Sequence, residues 1–280
     1  MPLKTPSFWQ KRGVAAFLLL PFSWIYIIVH CLKTLMAKPY VSSLPVICVG
    51  GVVAGGSGKT PIVHTLIKLA REDMGFMNPV IVTRGYGGVL QGPSLVDVER
   101  HNYMDVGDEA LLHASIAPTI VAKKRSAGLR LAEAMGADLV VMDDGLQNGS
   151  VAKTISFAVI DAQYKYGNGF TLPAGPLREP VSCALKKCDA VILTNGDAPI
   201  DHKAVFKTSL QVLSNHDMGR TYMAFAGLGH PEKFKTTLES NGFQVADFQS
   251  FPDHYPYTPE HIEQLIEGAG TNALITTEKD

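Results

Sequence analysis

The chain has 280 residues, of which 46% are hydrophobic and 18% are charged, and its net charge is −1. A chain of this length and apolar content can bury one large core or two ordinary ones, which excludes a disordered protein. Because positive and negative charges nearly cancel, we expect no nucleic-acid partner bound through overall charge. The four cysteines are too few for a disulfide framework, so we expect reduced thiols and an intracellular protein.

The first 40 residues contain the most apolar stretch of the chain. Val14–Val29 has no charged residue, and basic residues precede it. These 16 residues would form a helix of about 24 Å, shorter than the roughly 30 Å hydrocarbon core of a bilayer, and Pro21 would kink it. A secretory signal and a buried core helix are alternatives. Trp24 and Tyr26 favour a membrane-associated helix that dips into one leaflet or just spans it.

From residue 41 onward, short apolar runs alternate with helical spacing. This pattern predicts an α/β fold: a P-loop-type, mostly parallel sheet with helices on both faces. The alternation weakens over residues 206–221, so we expect a P-loop kinase domain over 41–210 and a second, smaller α/β lobe over 211–280. The predicted strands include Leu44–Val49, Val80–Val82, Thr119–Val121, Leu139–Met142, Phe157–Ile160, Val191–Leu193, Tyr222–Phe225 and Ala273–Thr276.

A glycine-rich turn joins the first of these strands to a helix. Glycines let backbone N–H groups turn toward phosphates, a lysine reaches the β- and γ-phosphates, and the next hydroxyl can hold Mg²⁺. Valine stands at position 53, where the usual P-loop has its opening glycine. The alternative to a P-loop is a glycine-rich turn that is followed by lysine and threonine by accident. The pattern predicts nucleotide binding by Val53, Ala54, Gly55, Gly56, Ser57, Gly58, Lys59 and Thr60.

Two carboxylates follow the apolar strand Leu139–Met142. Asp143 and Asp144 would lie at the phosphate end of the sheet, where a magnesium ligand is needed together with Thr60. A polar Asp-Gly turn is the alternative explanation. Which of the two aspartates faces the ion stays open. The order Asp-Asp-Gly and the absence of an Asn-Lys-x-Asp string argue against a switch GTPase.

Two further residues are candidates for acid–base chemistry. Asp108 opens a predicted helix, so helix capping is its alternative role. His254 lies in a loop, where a structural hydrogen bond would also explain it. The irregular segment Gly167–Pro180 is rich in glycine and proline, and a loop of this length inside a compact domain is often functional.

Taken together, these motifs resemble the tetraacyldisaccharide 4′-kinase family of lipid A biosynthesis over nearly the whole chain. The resemblance rests on the apolar N-terminal helix and on eight segments in order: Gly55–Pro61, Thr83–Gly88, Val106–Glu109, Asp143–Gln147, Leu172–Pro180, Ala226–Gly229, Phe251–His254 and Thr276–Asp280. Valine at position 53 matches the family's own form of the loop. Members of this family usually continue beyond such a closing segment, so we expect the second lobe to lack its last elements.

The resemblance implies ATP- and Mg²⁺-dependent phosphorylation of the 4′-hydroxyl of a tetraacylated glucosamine disaccharide 1-phosphate, at the cytoplasmic face of the inner membrane. It implies a catalytic carboxylate at Asp108 with His254 as its partner, besides Lys59 on the phosphates. Further residues are implied near the phosphates, the metal or the acceptor: Gln147, Arg178 and Glu179, with Glu179 as a metal ligand. Candidates for the disaccharide side are Tyr86 and Arg125.

Two functions from different classes therefore remain at this point. A lipid kinase gives a role to Asp108 and His254, acts on a lipid disaccharide at the membrane surface, and is expected to be a monomer. A membrane-tethered P-loop ATPase that acts as a switch or assembly factor would explain the glycine-rich turn, the aspartate pair and the apolar helix, but neither of those two residues.

Overall fold

The structure is a computed structural model that describes residues 6–56, 58–209, 219–228, 231–252 and 255–278. Contacts divide the chain into two compact units, one of Ser7–Ser209 and one built chiefly from Leu210–Asp280. Two of the residues singled out from the sequence, Ser57 and His254, lie outside the described residues.

The apolar N-terminal segment forms one helix, α1, over Val14–Met36. Its 23 residues span about 35 Å, enough to cross a hydrocarbon core of roughly 30 Å. Its most apolar window has a mean hydropathy of 2.1 and is only 11% buried. The core-helix alternative is therefore wrong, and the 24 Å length predicted from Val14–Val29 is too short, because the helix continues past Lys33 with Pro21 inside it.

The larger unit is built on an eight-stranded sheet. Its strand order is β3-β4-β2-β5-β1-β6-β7-β8, and every pairing is parallel except that of β3 with β4. The strands are β1 Val46–Gly51, β2 Pro79–Thr83, β3 Ser94–Leu95, β4 Thr119–Val121, β5 Leu139–Asp143, β6 Ile155–Asp161, β7 Ala190–Thr194 and β8 Val205–Lys207. The helices are α2 Lys59–Glu72, α3 Tyr103–Val106, α4 Asp108–Ala114, α5 Arg125–Ala134 and α6 Val181–Lys187.

Helices cover both faces of this sheet, as the continuous apolar strands predict. Successive residues of a strand point to opposite faces. Val46 and Cys48 of β1 accordingly share a core with Leu129 of α5, whereas Ile47 and Val49 share another with Ile67 of α2 and its neighbours. The predicted mostly parallel α/β sheet is thus confirmed for this unit.

The register of the central strands determines where the polar residues gather. Val49 of β1 lies opposite Asp143 of β5 in a parallel pair. The glycine-rich turn after β1 and the aspartate pair at the end of β5 therefore lie at the same edge of the sheet. At Gly50 a Cβ atom would lie 2.4 Å from the Leu146 Cβ, so only glycine lets the two strand ends approach this closely.

The smaller unit has a three-stranded parallel sheet of order β10-β9-β11. Its elements are β9 Thr221–Ala226, α7 Pro231–Ser240, β10 Gln244–Ser250, α8 Pro259–Ala269 and β11 Ala273–Ile275. Its core is formed by small groups of apolar residues on either face of β9.

Candidate active site

The glycine-rich turn lies between the end of β1 and the first turn of α2. Gly55 has φ 113° and Gly58 has φ 77°, backbone conformations that favour glycine. A Cβ atom at Gly55 or Gly56 would meet nothing within 4 Å, so the turn borders open space. Lys59 and Thr60 follow as the first two residues of α2. The local geometry is that of a loop able to receive a phosphate at a helix N-terminus.

The segment Leu172–Pro180 braces this turn from the side. The N–H of Ala54 donates to the Pro176 carbonyl at 2.8 Å, and Val53 forms an antiparallel bridge with Leu177. The valine in place of the opening glycine therefore has a structural role, since its side chain packs in the core that contains Leu177. A proline- and glycine-rich loop thus forms one wall of the phosphate-binding turn.

Three charged side chains converge beside the turn. Nη1 of Arg178 donates to Oδ1 and Oδ2 of Asp144, and Nζ of Lys59 lies 3.8 Å from the same Oδ1. Burial alone would raise the pKa of Asp144, but the charges of Lys59 and Arg178 outweigh it and lower that pKa to about 2. The carboxylate is therefore ionised at neutral pH and holds two cations close to the glycine turn.

Asp143 has a different environment, because it is buried at 1% exposure. Its Oδ2 accepts a hydrogen bond from Thr83 Oγ1 at 3.4 Å and lies 3.3 Å from Nε2 of His113. Its Oδ1 is buried and has no hydrogen-bond partner among the described residues. An unpaired carboxylate oxygen is costly to bury, and a cation or a cation-bound water would satisfy it.

That unpaired oxygen fits a magnesium ion, although the described residues contain no group of three or more His, Cys, Asp or Glu side chains able to hold a metal. Mg²⁺ in nucleotide sites is commonly bound by one or two protein oxygens together with substrate phosphates and waters. The free oxygen of Asp143 and the hydroxyl of Thr60, the second residue of α2, are donors of this kind, so the residues present fit a nucleotide-bound ion.

Glu179 and Gln147 form a second polar group next to the turn. Gln147 donates to the Gly51 carbonyl at 3.1 Å and to Glu179 Oε1 at 3.3 Å. Glu179 is 1% exposed, and its Oε2 accepts from Lys187 at 2.6 Å and lies 3.7 Å from Nε2 of His30 in α1. Both oxygens of Glu179 therefore have partners, and metal binding would require at least one of them to be released.

Asp108 is the first residue of α4, and the N-cap is Gly107, with φ 86° and ψ 150°. Gly107, and not Asp108, therefore occupies the N-cap position of α4. A Cβ at Gly107 would lie 2.1 Å from the Tyr86 carbonyl oxygen, which shows how tightly the segment containing Tyr86 packs behind Asp108. Tyr86 itself is 68% exposed. The packed glycines fix where α4, and with it Asp108, begins.

The comparisons with known proteins agree with one another. The family model described as tetraacyldisaccharide-1-P 4′-kinase, LpxK, matches residues 15–280. The chain belongs to this family. A tetraacyldisaccharide 4′-kinase of Rhodopseudomonas palustris strain BisA53 is 41% identical, over 99% of this chain and 85% of that protein. The corresponding protein of Paramagnetospirillum magneticum is 42% identical, over 99% of this chain and 88% of that protein.

A solved structure of the same family is also similar. It is the "apo" form of LpxK from Aquifex aeolicus in complex with ATP, which aligns with a TM-score of 0.71 at 26% identity and covers 93% of this chain and 92% of that one. The resemblance expected from the sequence is thus confirmed, and with it the class of enzyme, a kinase that phosphorylates a hydroxyl group. The switch-ATPase alternative is not supported.

For this LpxK family member, the structure corrects the expectation for Arg125. The residue is 3% exposed, and its guanidinium donates to the carbonyl oxygens of Ala122 and Asp143 at 2.9 and 3.1 Å. Burial lowers the pKa of Arg125 from its usual value. Arg125 therefore supports the end of β5 from inside the protein and does not lie on a surface that a disaccharide could contact directly.

The sequence analysis missed two histidines. Nε2 of His64 in α2 lies 3.0 Å from Nδ1 of His113 in α4, which in turn contacts Asp143. One signal could have identified His113: it follows Ala110 by three residues on the buried face of α4, where an apolar residue is expected. His64 gives no comparable signal, because only the fold places it beside His113.

Proposed function

We propose that this chain transfers the γ-phosphate of ATP, with Mg²⁺, to the 4′-hydroxyl of a tetraacylated glucosamine disaccharide 1-phosphate, giving the bis-phosphorylated lipid A precursor and ADP. The observation that carries the proposal is the convergence of Lys59 and Arg178 on Asp144 beside an open glycine turn. Two cations next to a glycine-lined turn are what a polyphosphate requires, because phosphoryl transfer depends chiefly on positioning and charge neutralisation.

The nucleotide would bind along the turn. The N–H groups of Gly55, Gly56 and Gly58 would contact the phosphates, and Lys59 would move from Asp144 to the β- and γ-phosphates. Asp143 and Thr60 would hold the ion, so of the two aspartates we assign the metal to Asp143, because its Oδ1 has no partner among the described residues. Mg²⁺ supplies positive charge at the transferring phosphate.

The acceptor side would depend on Asp108. Its carboxylate would receive the proton of the 4′-hydroxyl as the sugar oxygen bonds to the γ-phosphorus and the bond from that phosphorus to the ADP oxygen breaks. A loose transition state needs little deprotonation before this bond forms, so a carboxylate is an adequate base. For His254, which lies outside the described residues, we keep the catalytic role that the family resemblance implies, and we assign to Tyr86 a contact with the disaccharide.

The membrane would be the place of reaction. A substrate with four acyl chains leaves a bilayer at a cost of roughly 0.8 kcal/mol for each buried methylene, so the enzyme must meet it there. The outer side of α1 exposes a set of large apolar side chains that lipid would cover: Val14, Phe17, Leu18, Phe22, Trp24, Ile25, Ile28, Val29, Leu32, Leu35 and Met36. Since ATP is cytoplasmic, we place the enzyme, as a monomer, at the cytoplasmic face of the inner membrane.

The test is an acceptor-dependent transfer assay. The full chain in detergent is given ATP labelled at the γ-phosphate, with or without the lipid disaccharide, and the label is expected in lipid only when the acceptor is present. Lys59→Ala should abolish transfer, whereas Lys68→Ala, an exposed lysine of the same helix that pairs with Glu72, should leave it unchanged. Label that appears only as free phosphate under both conditions would overturn the proposal.

A further inference from the structure

Three side chains from three different elements form a hydrogen-bonded series that starts at Asp143, passes through the buried His113 and ends at the partly buried His64. Asp143 ends β5, His113 is in α4 and His64 is in α2. The contacts are 3.3 Å from Asp143 Oδ2 to His113 Nε2 and 3.0 Å from His113 Nδ1 to His64 Nε2. His113 is 0% exposed, and the two imidazole rings meet edge to face at 5.1 Å between centroids.

The donors and acceptors in this series of three side chains can be assigned by starting from Asp143. An ionised carboxylate only accepts hydrogen bonds, so Nε2 of His113 carries the proton that it shares with Asp143. In a neutral His113 the other nitrogen, Nδ1, then accepts, and the donor facing it is Nε2–H of His64. The carboxylate thus sets the tautomer of His113 and, through it, that of His64.

The same contacts leave the two carboxylate oxygens unequal. Oδ2 is held by Thr83 and His113, whereas Oδ1 is buried without a partner among the described residues. Two donors on one oxygen fix the rotation of the carboxylate. Through His113 the end of β5 is connected to α4, the helix that begins with Asp108. Through His64 it is also connected to α2, the helix that begins with Lys59.

We propose that His113, supported by His64, is a positioning residue that fixes the Asp143 carboxylate so that its free oxygen is available to the nucleotide-bound metal ion. The inference rests on the metal role of Asp143 in the proposed function. Partners that orient a ligating carboxylate in this way typically contribute about 10- to 100-fold to metal affinity. His113 touches neither metal nor substrate, so its effect should appear in metal binding and not only in turnover.

The first test reads the tautomer in the unmodified protein. In the full chain labelled with ¹⁵N histidine, the Nε2 nitrogen of His113 should carry a proton in the nucleotide-free state at neutral pH. Assignment uses loss of the signal in His113→Gln. A His113 that is protonated only at Nδ1 has no proton to share with Asp143, and this result would overturn the inference.

The second test measures metal affinity without turnover. Free Mn²⁺ is followed by electron paramagnetic resonance while the full chain is titrated in the presence of a non-hydrolysable ATP analogue. His113→Leu should raise the Mn²⁺ Kd by about 10-fold or more. His113→Gln, whose amide can still donate to Oδ2, should recover most of the affinity. His202→Leu is the matched control, because the hydrogen bonds of His202 within the described part of the chain go to Cys188 and Ala204, so this variant should leave the Kd within about 2-fold.

The outcomes separate this inference from the proposed function. Wild-type Mn²⁺ affinity in folded His113→Leu, together with a large loss in Asp143→Asn, would overturn the positioning role and leave the kinase mechanism intact. Unchanged affinity in Asp143→Asn would overturn both the metal assignment and the inference built on it. Loss of affinity in His113→Leu that the glutamine variant recovers supports the positioning role.

Discussion

Nη1 of Arg178 donates to both carboxylate oxygens of Asp144, at 2.6 and 2.7 Å. Lys59 lies 3.8 Å from the same group, so one carboxylate holds both cations next to the glycine turn. A polyphosphate that enters this turn would compete with Asp144 for them. The aspartate thus keeps a lysine and an arginine in place beside an open cradle.

This pairing predicts how substitutions of Arg178 differ. Removal of one donor aimed at a transferring group typically costs about 10²- to 10³-fold in rate, so Arg178→Met should lower kcat/KM for ATP by about 100-fold or more. Because a single nitrogen makes both contacts, Arg178→Lys should retain much more activity. Arg130→Met, at an arginine that stacks on the Tyr40 ring, is the control in the same steady-state assay. Equal losses in the lysine and methionine variants would show that the shape of the guanidinium, and not its charge, is required.

The placement of Asp108 after the N-cap separates its possible roles. As a base it should contribute about 10²- to 10⁴-fold to kcat, so Asp108→Asn should reduce kcat by that factor. A carboxylate in the first turn of a helix contributes only about 0.3–1 kcal/mol to stability. Asp105→Asn is the matched control, since Asp105 accepts from the Asn102 N–H in the capping box of α3 and should affect stability more than kcat. If Asp108→Asn changes only the melting temperature, the base assignment fails.

Gly107 should tolerate no side chain. Its φ of 86° and ψ of 150° lie in a region that is essentially restricted to glycine, which costs other residues about 1–3 kcal/mol, and the Tyr86 carbonyl blocks the Cβ position in addition. Gly107→Ala should therefore lower the free energy of unfolding by more than this and displace Asp108. Gly136→Ala isolates the backbone term, because Gly136 has φ 74° with nothing within 4 Å of its Cβ position. Similar losses in the two variants would contradict the close packing at Gly107.

How much of this could be predicted from the sequence depends on the range of the signal. The central strands are buried on both faces, so they appear as continuous apolar runs and were predicted within a few residues. β10 was not, because most residues of Gln244–Ser250 are exposed and carry no apolar pattern. The glycine turn and the aspartate pair are local motifs next to such strands, which is why the sequence identified them.

The remainder of the site depends on contacts between distant segments. Nothing local indicates that Pro176 accepts from Ala54 or that Glu179 contacts α1 through His30. Arg125 illustrates the opposite error. An arginine at the start of a helix is expected to face solvent or a ligand, but here the guanidinium is buried and donates to the carbonyls of Ala122, just after β4, and Asp143, at the end of β5. Long-range hydrogen bonds of this kind leave no periodicity in the sequence.

The partly buried position of His64 predicts a pH dependence of stability. Burial and the neighbouring His113 lower the pKa of His64 to about 4, below its usual 6.5. Between these values the unfolded chain binds the proton more tightly, so the contribution of His64 is complete above pH 6.5 and is lost as the pH falls toward 4, by at most about 1.4 kcal/mol per pH unit. Denaturant unfolding should show the stability advantage of the wild type over His64→Gln shrinking across this range. A constant difference would contradict the lowered pKa.

Ser23 joins α1 to the loop that braces the glycine turn. It is 1% exposed, donates to the Thr171 carbonyl at 2.8 Å and accepts from the Ala174 N–H at 3.1 Å. Ser23→Ala leaves the Ala174 N–H without its partner, whereas the Thr171 carbonyl keeps the Gly175 N–H at 3.0 Å, so the variant should lower the free energy of unfolding by about 1–3 kcal/mol and raise KM for ATP through the loosened loop. Phe22→Ala, on the exposed side of the same helix, should instead weaken binding to phospholipid vesicles and leave both values unchanged. If Ser23→Ala weakens only vesicle binding, then α1 serves as an anchor alone and its contact with the loop has no effect on the nucleotide.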